Sequence, residues 1–225
     1  MRNPLMPGIC LLCLLLASCS SFRQVRPLEK GEWRVSLCAG GPFTRVGSLY
    51  VPLPLVSLGC NYGIAEKCDV EAGMNFLAMM YGIAHVDAGV NWRPLRPDRY
   101  VPGLIVSPRM FMMTDFSPGG LRIYPDLGCT AYWKLKQYRL VYLGLENFFE
   151  LSTTREDGNR QQNNWLIAPY AGISLGNKKW QFQGEAKLYT PNLPNDLHTV
   201  KNIGIGDHGV FGIFLGVSRS FGGAR

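Results

Sequence analysis

Residues 180–188 read Trp-Gln-Phe-Gln-Gly-Glu-Ala-Lys-Leu, and apolar and polar side chains alternate along most of this stretch. One face would hold Trp180, Phe182, Ala186 and Leu188. The other face would hold Gln181, Gln183, Glu185 and Lys187. Successive side chains of a strand point to opposite faces, so the stretch predicts a β-strand with one apolar and one polar face.

The same alternation recurs along the chain in segments of roughly nine to thirteen residues, separated by Gly, Pro, Asn and Asp turn signals. We find ten such segments, near residues 33–40, 50–62, 69–76, 84–93, 102–114, 123–135, 138–150, 165–175, 180–188 and 211–221. No later apolar run approaches the length of about 18 residues that a transmembrane helix needs. The pattern therefore predicts an all-β, antiparallel, up-and-down sheet.

An alternating pattern does not by itself say whether the apolar face points inward or outward, and three features favour outward. The polar face is rich in Gly, Ser, Tyr and Asn but poor in Lys and Glu, unlike a water-exposed surface. Tryptophans fall near strand ends, as interfacial girdles require. The long polar stretches 151–164 and 191–208 both follow odd-numbered strands and so lie on one side. We predict a transmembrane β-barrel of about ten strands, with eight to twelve possible. The alternative is a periplasmic soluble barrel that binds an apolar ligand in its interior.

The N-terminus is typical of an exported protein. Residues 1–18 are apolar after Arg2 and end in Leu16-Ala17-Ser18-Cys19, which resembles the lipobox of bacterial lipoproteins. The resemblance implies a signal peptide over 1–18, a diacylglyceryl group on Cys19, a lipid-anchored linker over 19–32 and a single barrel domain over 33–225. Lipoproteins of the Bacteroides type that reach the cell surface carry acidic residues after the cysteine. Their absence here implies an anchor on the periplasmic side of the outer membrane. The final strand, ending at Phe221, resembles the assembly signal of Gram-negative outer-membrane barrels but continues for four residues.

Composition narrows the partners and cofactors. Charged residues make up 17% of the chain, against roughly 25% in soluble domains. The net charge of +7 is spread along the sequence, so we expect membrane lipid as a partner and no nucleic acid. Cysteine spacing matches no zinc motif, and we expect no metal and no cofactor. Four buried free thiols are favoured over a disulfide between Cys60 and Cys68 across a hairpin.

Charged residues recur on the predicted inward face, where burial is costly unless the charges are paired. We interpret them as a lumenal charge network formed by Asp69, Glu71, Arg93, Arg109, Asp126, Lys134, Glu146, Glu185 and Lys187. The alternative is a small pore or a small-ligand site within the lumen.

Three residues suggest an alternative interpretation of the barrel as an enzyme. His85 and Asp87 share a face, and Ser107 lies on the same face of the next predicted strand. The set resembles the sites of outer-membrane barrels that act on lipid A as acyl hydrolases or transferases, where a His activates a Ser. We favour instead a non-enzymatic structural or interaction role, with an accessory subunit of an envelope complex as one form of it.

Overall fold

The computed structural model describes residues 24–46, 48–52, 55–80, 82–115, 121–153, 163–194 and 202–223. The strands are β1 (Glu32–Val46), β2 (Leu49–Pro52), β3 (Leu55–Ala65), β4 (Cys68–Asn75), β5 (Ile83–Leu95), β6 (Gly103–Asp115), β7 (Arg122–Lys136), β8 (Arg139–Phe149), β9 (Trp165–Gly176), β10 (Trp180–Pro194) and β11 (His208–Gly222). One short helix, α1 (Phe76–Met80), connects β4 to β5. Cys19, the lipobox and the signal segment lie outside the described residues.

The strands form a closed barrel. Consecutive strands from β3 to β11 pair antiparallel with one another, and β1 pairs with both β3 and β11. Ten strands therefore close the barrel, which confirms the predicted fold class. Strands β2 and β3 both face β1 in one register, with Phe43 opposite Pro52 and Gly40 opposite Leu55. Residues 53–54, between the two strands, lie outside the described residues.

Apolar side chains face outward and polar ones inward. Along β1, Glu32, Arg34 and Ser36 are buried while Trp33 and Val35 are exposed. Phe182 and Leu215 are 60% and 65% exposed. Apolar area costs about 25 cal/mol per Å² in water, so an exterior of this kind requires a hydrocarbon surround. The alternative of a soluble barrel with an oily interior is wrong, because that fold needs the opposite orientation.

In the described part of the chain, no helix has the length and apolarity needed to cross a bilayer. Helix α1 has five residues, and its first turn is capped by the Asn75 Oδ1 atom, which accepts the amide hydrogen of Ala78 at 3.0 Å.

The two ends of the barrel differ. Short connections at 66–67, 96–102, 137–138 and 177–179 share one end with Gly31 and Gly222, and we call it the turn end. The connections 150–164 and 195–207 share the opposite end, which we call the loop end. Short turns on one side and long loops on the other match the prediction and are typical of outer-membrane barrels.

Candidate functional site: the lumen of the barrel

The N-terminal residues 24–31 enter the lumen at the turn end. Val25 and Leu28 are only 1% and 3% exposed. Val25 belongs to a buried cluster with Ile105, Tyr132, Leu140, Tyr142 and Tyr170. Burial of both apolar side chains contributes roughly 1.5–3 kcal/mol each. Sequence analysis assigned this stretch to a linker, but it packs as part of the barrel interior, and we call residues 24–31 the lumen segment.

Charged side chains hold the lumen segment against β1. Arg26 forms an ion pair with Glu32 and donates to the Ser220 hydroxyl at 2.8 Å. The buried Arg34 guanidinium donates to the Arg26 carbonyl oxygen at 2.8 Å. The Glu29 amide donates to the Glu32 carboxylate at 2.9 Å. The chain thus turns from the lumen into β1 through bonds made inside the barrel.

Gly63 permits this close approach. The Gly31 amide donates to the Gly63 carbonyl at 2.8 Å. A Cβ atom at Gly63 would lie 2.0 Å from the Glu29 carbonyl oxygen. Any larger residue at this position must therefore displace the backbone of the lumen segment or of β3.

Two ion pairs lie along one side of the lumen, one near the turn end and one farther inside. Arg93 pairs with Asp69, and Arg109 pairs with Glu71. All four side chains are buried. Each pair joins neighbouring or nearby strands between β4 and β6, so the charges that the sequence placed inward neutralise one another.

Amide and hydroxyl groups link these two pairs. The Asn91 amide donates to Asp69 at 2.7 Å and to Glu71 at 2.9 Å. The Ser107 hydroxyl donates to the Asn91 side-chain Oδ1 atom at 2.7 Å, and the Asn61 side-chain amide donates to Glu71 at 3.2 Å. A connected polar network of this kind is stabilising only while its members are satisfied.

The opposite side of the lumen is organised by Lys187. Its Nζ atom lies 3.0 Å from Glu146 and 3.3 Å from Glu185, and its side chain is fully buried. The Tyr142 hydroxyl donates to Glu185 at 3.0 Å. The ammonium also lies 5.1 Å from the centre of the Tyr170 ring, a cation–π distance.

Eight of the nine residues predicted as a lumenal charge network are buried in the barrel. Asp126 is among them, and its carboxylate accepts the Asn147 amide hydrogen at 3.1 Å. Lys134 is the exception, because it is exposed near the end of β7. Its alternation phase is correct, but the strand extends beyond the closed wall at the turn end.

An apolar layer occupies the loop-end half of the lumen, which sequence analysis missed. The layer consists of Cys38, Leu55, Phe111, Phe148, Ala168, Tyr189 and Phe214. The Phe111 and Phe148 ring centroids are 5.3 Å apart. The inward phase of the aromatic residues was the available signal.

The proposed His85, Asp87 and Ser107 site is not assembled. His85 and Asp87 are buried on the inward face of β5, but His85 lies opposite Met113. Ser107 is six residues from Met113 along β6, a separation of about 20 Å at 3.3 Å per residue. Ser107 donates to Asn91 instead. The catalytic interpretation is therefore corrected, because the register separates the nucleophile from the base.

None of the four described cysteines forms a disulfide with another described cysteine. Cys60 lies opposite Ala72, whereas Cys68 lies opposite Ala65, so the hairpin register keeps the two thiols apart. Cys38 is buried but Cys129 is exposed, which corrects the expectation that all four are buried.

One small cavity in the lumen lies between Gln24, Ser36, Asn61, Asp87 and Arg109, and its volume is about 20 Å³. A water molecule needs roughly 10–15 Å³ measured in this way. The cavity therefore has room for about one water. Within the described residues, no group of three or more His, Cys, Asp or Glu side chains is placed to hold a metal ion.

No family model and no curated protein matches this chain. Among solved structures, it is similar to an outer-membrane channel of Pseudomonas putida F1, with a TM-score of 0.52, 8% identity and coverage of 90% of this chain and 100% of the other. It also matches the translocator domain of the autotransporter NalP from Neisseria meningitidis, with a TM-score of 0.47, 9% identity and coverage of 96% and 95%. The first likeness shows that the chain has the fold of outer-membrane β-barrels.

Proposed function

We propose that this chain is a lipid-anchored outer-membrane barrel with a structural or interaction role, and that its lumen does not conduct. An accessory subunit of an envelope complex is the form of this role that we favour. The side chains that fill the lumen carry the proposal. Val25 of the lumen segment is buried beside Ile105 and Tyr132. Lys187 is buried between Glu146 and Glu185.

Placement in the outer membrane is supported by the apolar exterior and by the fold. Exposed apolar side chains cover the outer face of the barrel wall. All neighbouring strands are hydrogen-bonded and the sheet is closed, which is the condition for strands to cross a bilayer. Heat-modifiable migration in detergent, with precipitation when detergent is removed, is the expected behaviour.

A conductance measurement tests the closed lumen. Purified, heat-modifiable protein in planar bilayers should show no stable channels, because buried pairs such as Lys187 and Glu146 block the path. Insertion should be checked by protease protection, so that a lack of conductance is not caused by a lack of inserted protein. Stable single-channel steps from inserted wild-type protein would contradict the proposal.

The lipid anchor is supported by the sequence Leu16-Ala17-Ser18-Cys19. Radioactive palmitate should label the wild-type protein and a Cys13→Ser variant, but not a Cys19→Ser variant. Mass spectrometry of the mature N-terminal peptide should find the added acyl mass on Cys19. Equal labelling of the Cys19→Ser variant would refute attachment at this cysteine.

The interaction role is tested by native gel migration after mild detergent extraction from membranes. A migration above the monomer that stronger detergent reduces to the monomer supports an accessory subunit. A monomer under every mild condition would leave the structural role alone.

A further inference from the structure

Exposed positive charge is concentrated at the turn end of the barrel. In the described residues, ten exposed Lys and Arg side chains lie there, on segments 30–31, 66–67, 96–99, 134–139 and 178–179 and at Arg219. Three exposed acidic residues, Glu29, Glu66 and Asp98, accompany them. The turn end thus carries a large positive excess.

The loop end carries no such excess. Among the described residues, Arg45 is the one exposed basic side chain at that end. The sequence of 154–162 and 195–201, outside the described residues, adds three basic and three acidic residues. The net positive charge of the chain is therefore distributed unevenly, with its excess at the turn end.

Arg219 lies on the lipid-facing wall within this basic end. Its guanidinium carbon is 5.2 Å from the Trp180 ring centre and 5.0 Å from the Phe221 ring centre. Both aromatic residues are exposed. The two aromatic rings contact the planar guanidinium group by cation–π interaction. The N–H groups of the guanidinium point outward in its own plane and can donate to a phosphate.

Two lysines adjoin this arginine. Lys178 and Lys179 form the turn before Trp180, and the Lys179 carbonyl oxygen accepts the Ser220 amide hydrogen at 2.8 Å. Within the described part of the chain, Lys178, Lys179 and Arg219 form no ion pair with a carboxylate. Among the described residues, these three cations lie beside exposed aromatic side chains and have no carboxylate partner.

We propose that Lys178, Lys179 and Arg219 form a binding site for the phosphate headgroup of an anionic phospholipid in the leaflet that borders the turn end. Aromatic residues on the wall lie at the depth of the headgroups, which favours a lipid over a protein partner. Each Lys or Arg near the membrane surface raises the affinity of a protein for anionic headgroups by about fivefold.

Native mass spectrometry of the folded protein with an equal mixture of phosphatidylglycerol and phosphatidylcholine tests the site. Wild type should retain phosphatidylglycerol at least tenfold more than phosphatidylcholine. The K178Q/K179Q/R219Q variant should lose most of this preference. Its retained heat-modifiable migration would show that the barrel is intact.

The matched control is Arg45→Gln at the loop end, which should keep the wild-type preference. An equal ratio of the two lipids on wild type would overturn the proposal. So would an unchanged ratio in the triple variant, since the preference would then come from other residues.

Discussion

Replacement of Lys187 by Met probes the charge network most directly. The Lys187 ammonium is the charged partner of two buried carboxylates, at 3.0 Å from Glu146 and 3.3 Å from Glu185. Met keeps most of the side-chain volume but removes the charge. Both carboxylates then remain buried without this cation.

The expected cost follows from this burial. Removal of one partner from a buried ion pair costs about 3–5 kcal/mol. The side chains of Lys187, Glu146 and Glu185 have no solvent exposure, so water cannot replace the lost interaction in the native barrel. We expect the free energy of unfolding to fall by about this amount.

Reversible urea unfolding in lipid vesicles, followed by tryptophan fluorescence, measures the change. Lys67→Met is the matched control, because Lys67 lies exposed in a turn and should cost less than about 0.5 kcal/mol. The triple variant K187M/E146Q/E185Q should recover most of the loss, since no uncompensated charge remains.

Two results would refute this reasoning. A loss below about 1 kcal/mol in Lys187→Met would mean that the carboxylates are not dependent on the ammonium. Failure of the triple variant to recover stability would assign the loss to packing against the aromatic rings instead.

Two further predictions concern the lumen segment and the thiols. Gly63→Ala should displace the lumen segment, because its Cβ atom would lie 2.0 Å from the Glu29 carbonyl oxygen. Limited trypsin digestion should then cleave within 24–31, whereas Gly184→Ala, whose Cβ would meet nothing closer than 3.8 Å, should resist like wild type. Cys60 and Cys68 should remain free in protein purified from an oxidising compartment, because the register holds them apart. Thiol titration after denaturation without reductant checks this, and a loss of two thiols restored by reductant would contradict it.

Much of the wall could be predicted because alternation is a local property of each strand. The stretch 180–188 already contains its apolar outer face and its polar inner face. Antiparallel connection of consecutive strands then follows from short turns, such as 177–179 before Trp180. The inward position of Glu146 or Lys187 needs only the phase of its own strand.

The contacts across the lumen could not be predicted, because they depend on closure and register. Alternation placed His85 and Ser107 on the same side of the sheet, but only the pairing of β5 with β6 shows that about 20 Å separates them. Lys134 has the inward phase yet is exposed, since phase says nothing about where the closed wall ends.

Ten alternating segments with an apolar and a charged face could be recognised from the order of the residues alone. How the interior is filled depends on the closed three-dimensional arrangement of the strands. Val25 becomes a core residue because closure brings Ile105, Tyr132 and Leu140 around it from distant strands. Faces follow from local geometry, whereas packing in the middle of a closed sheet follows from all ten strands together.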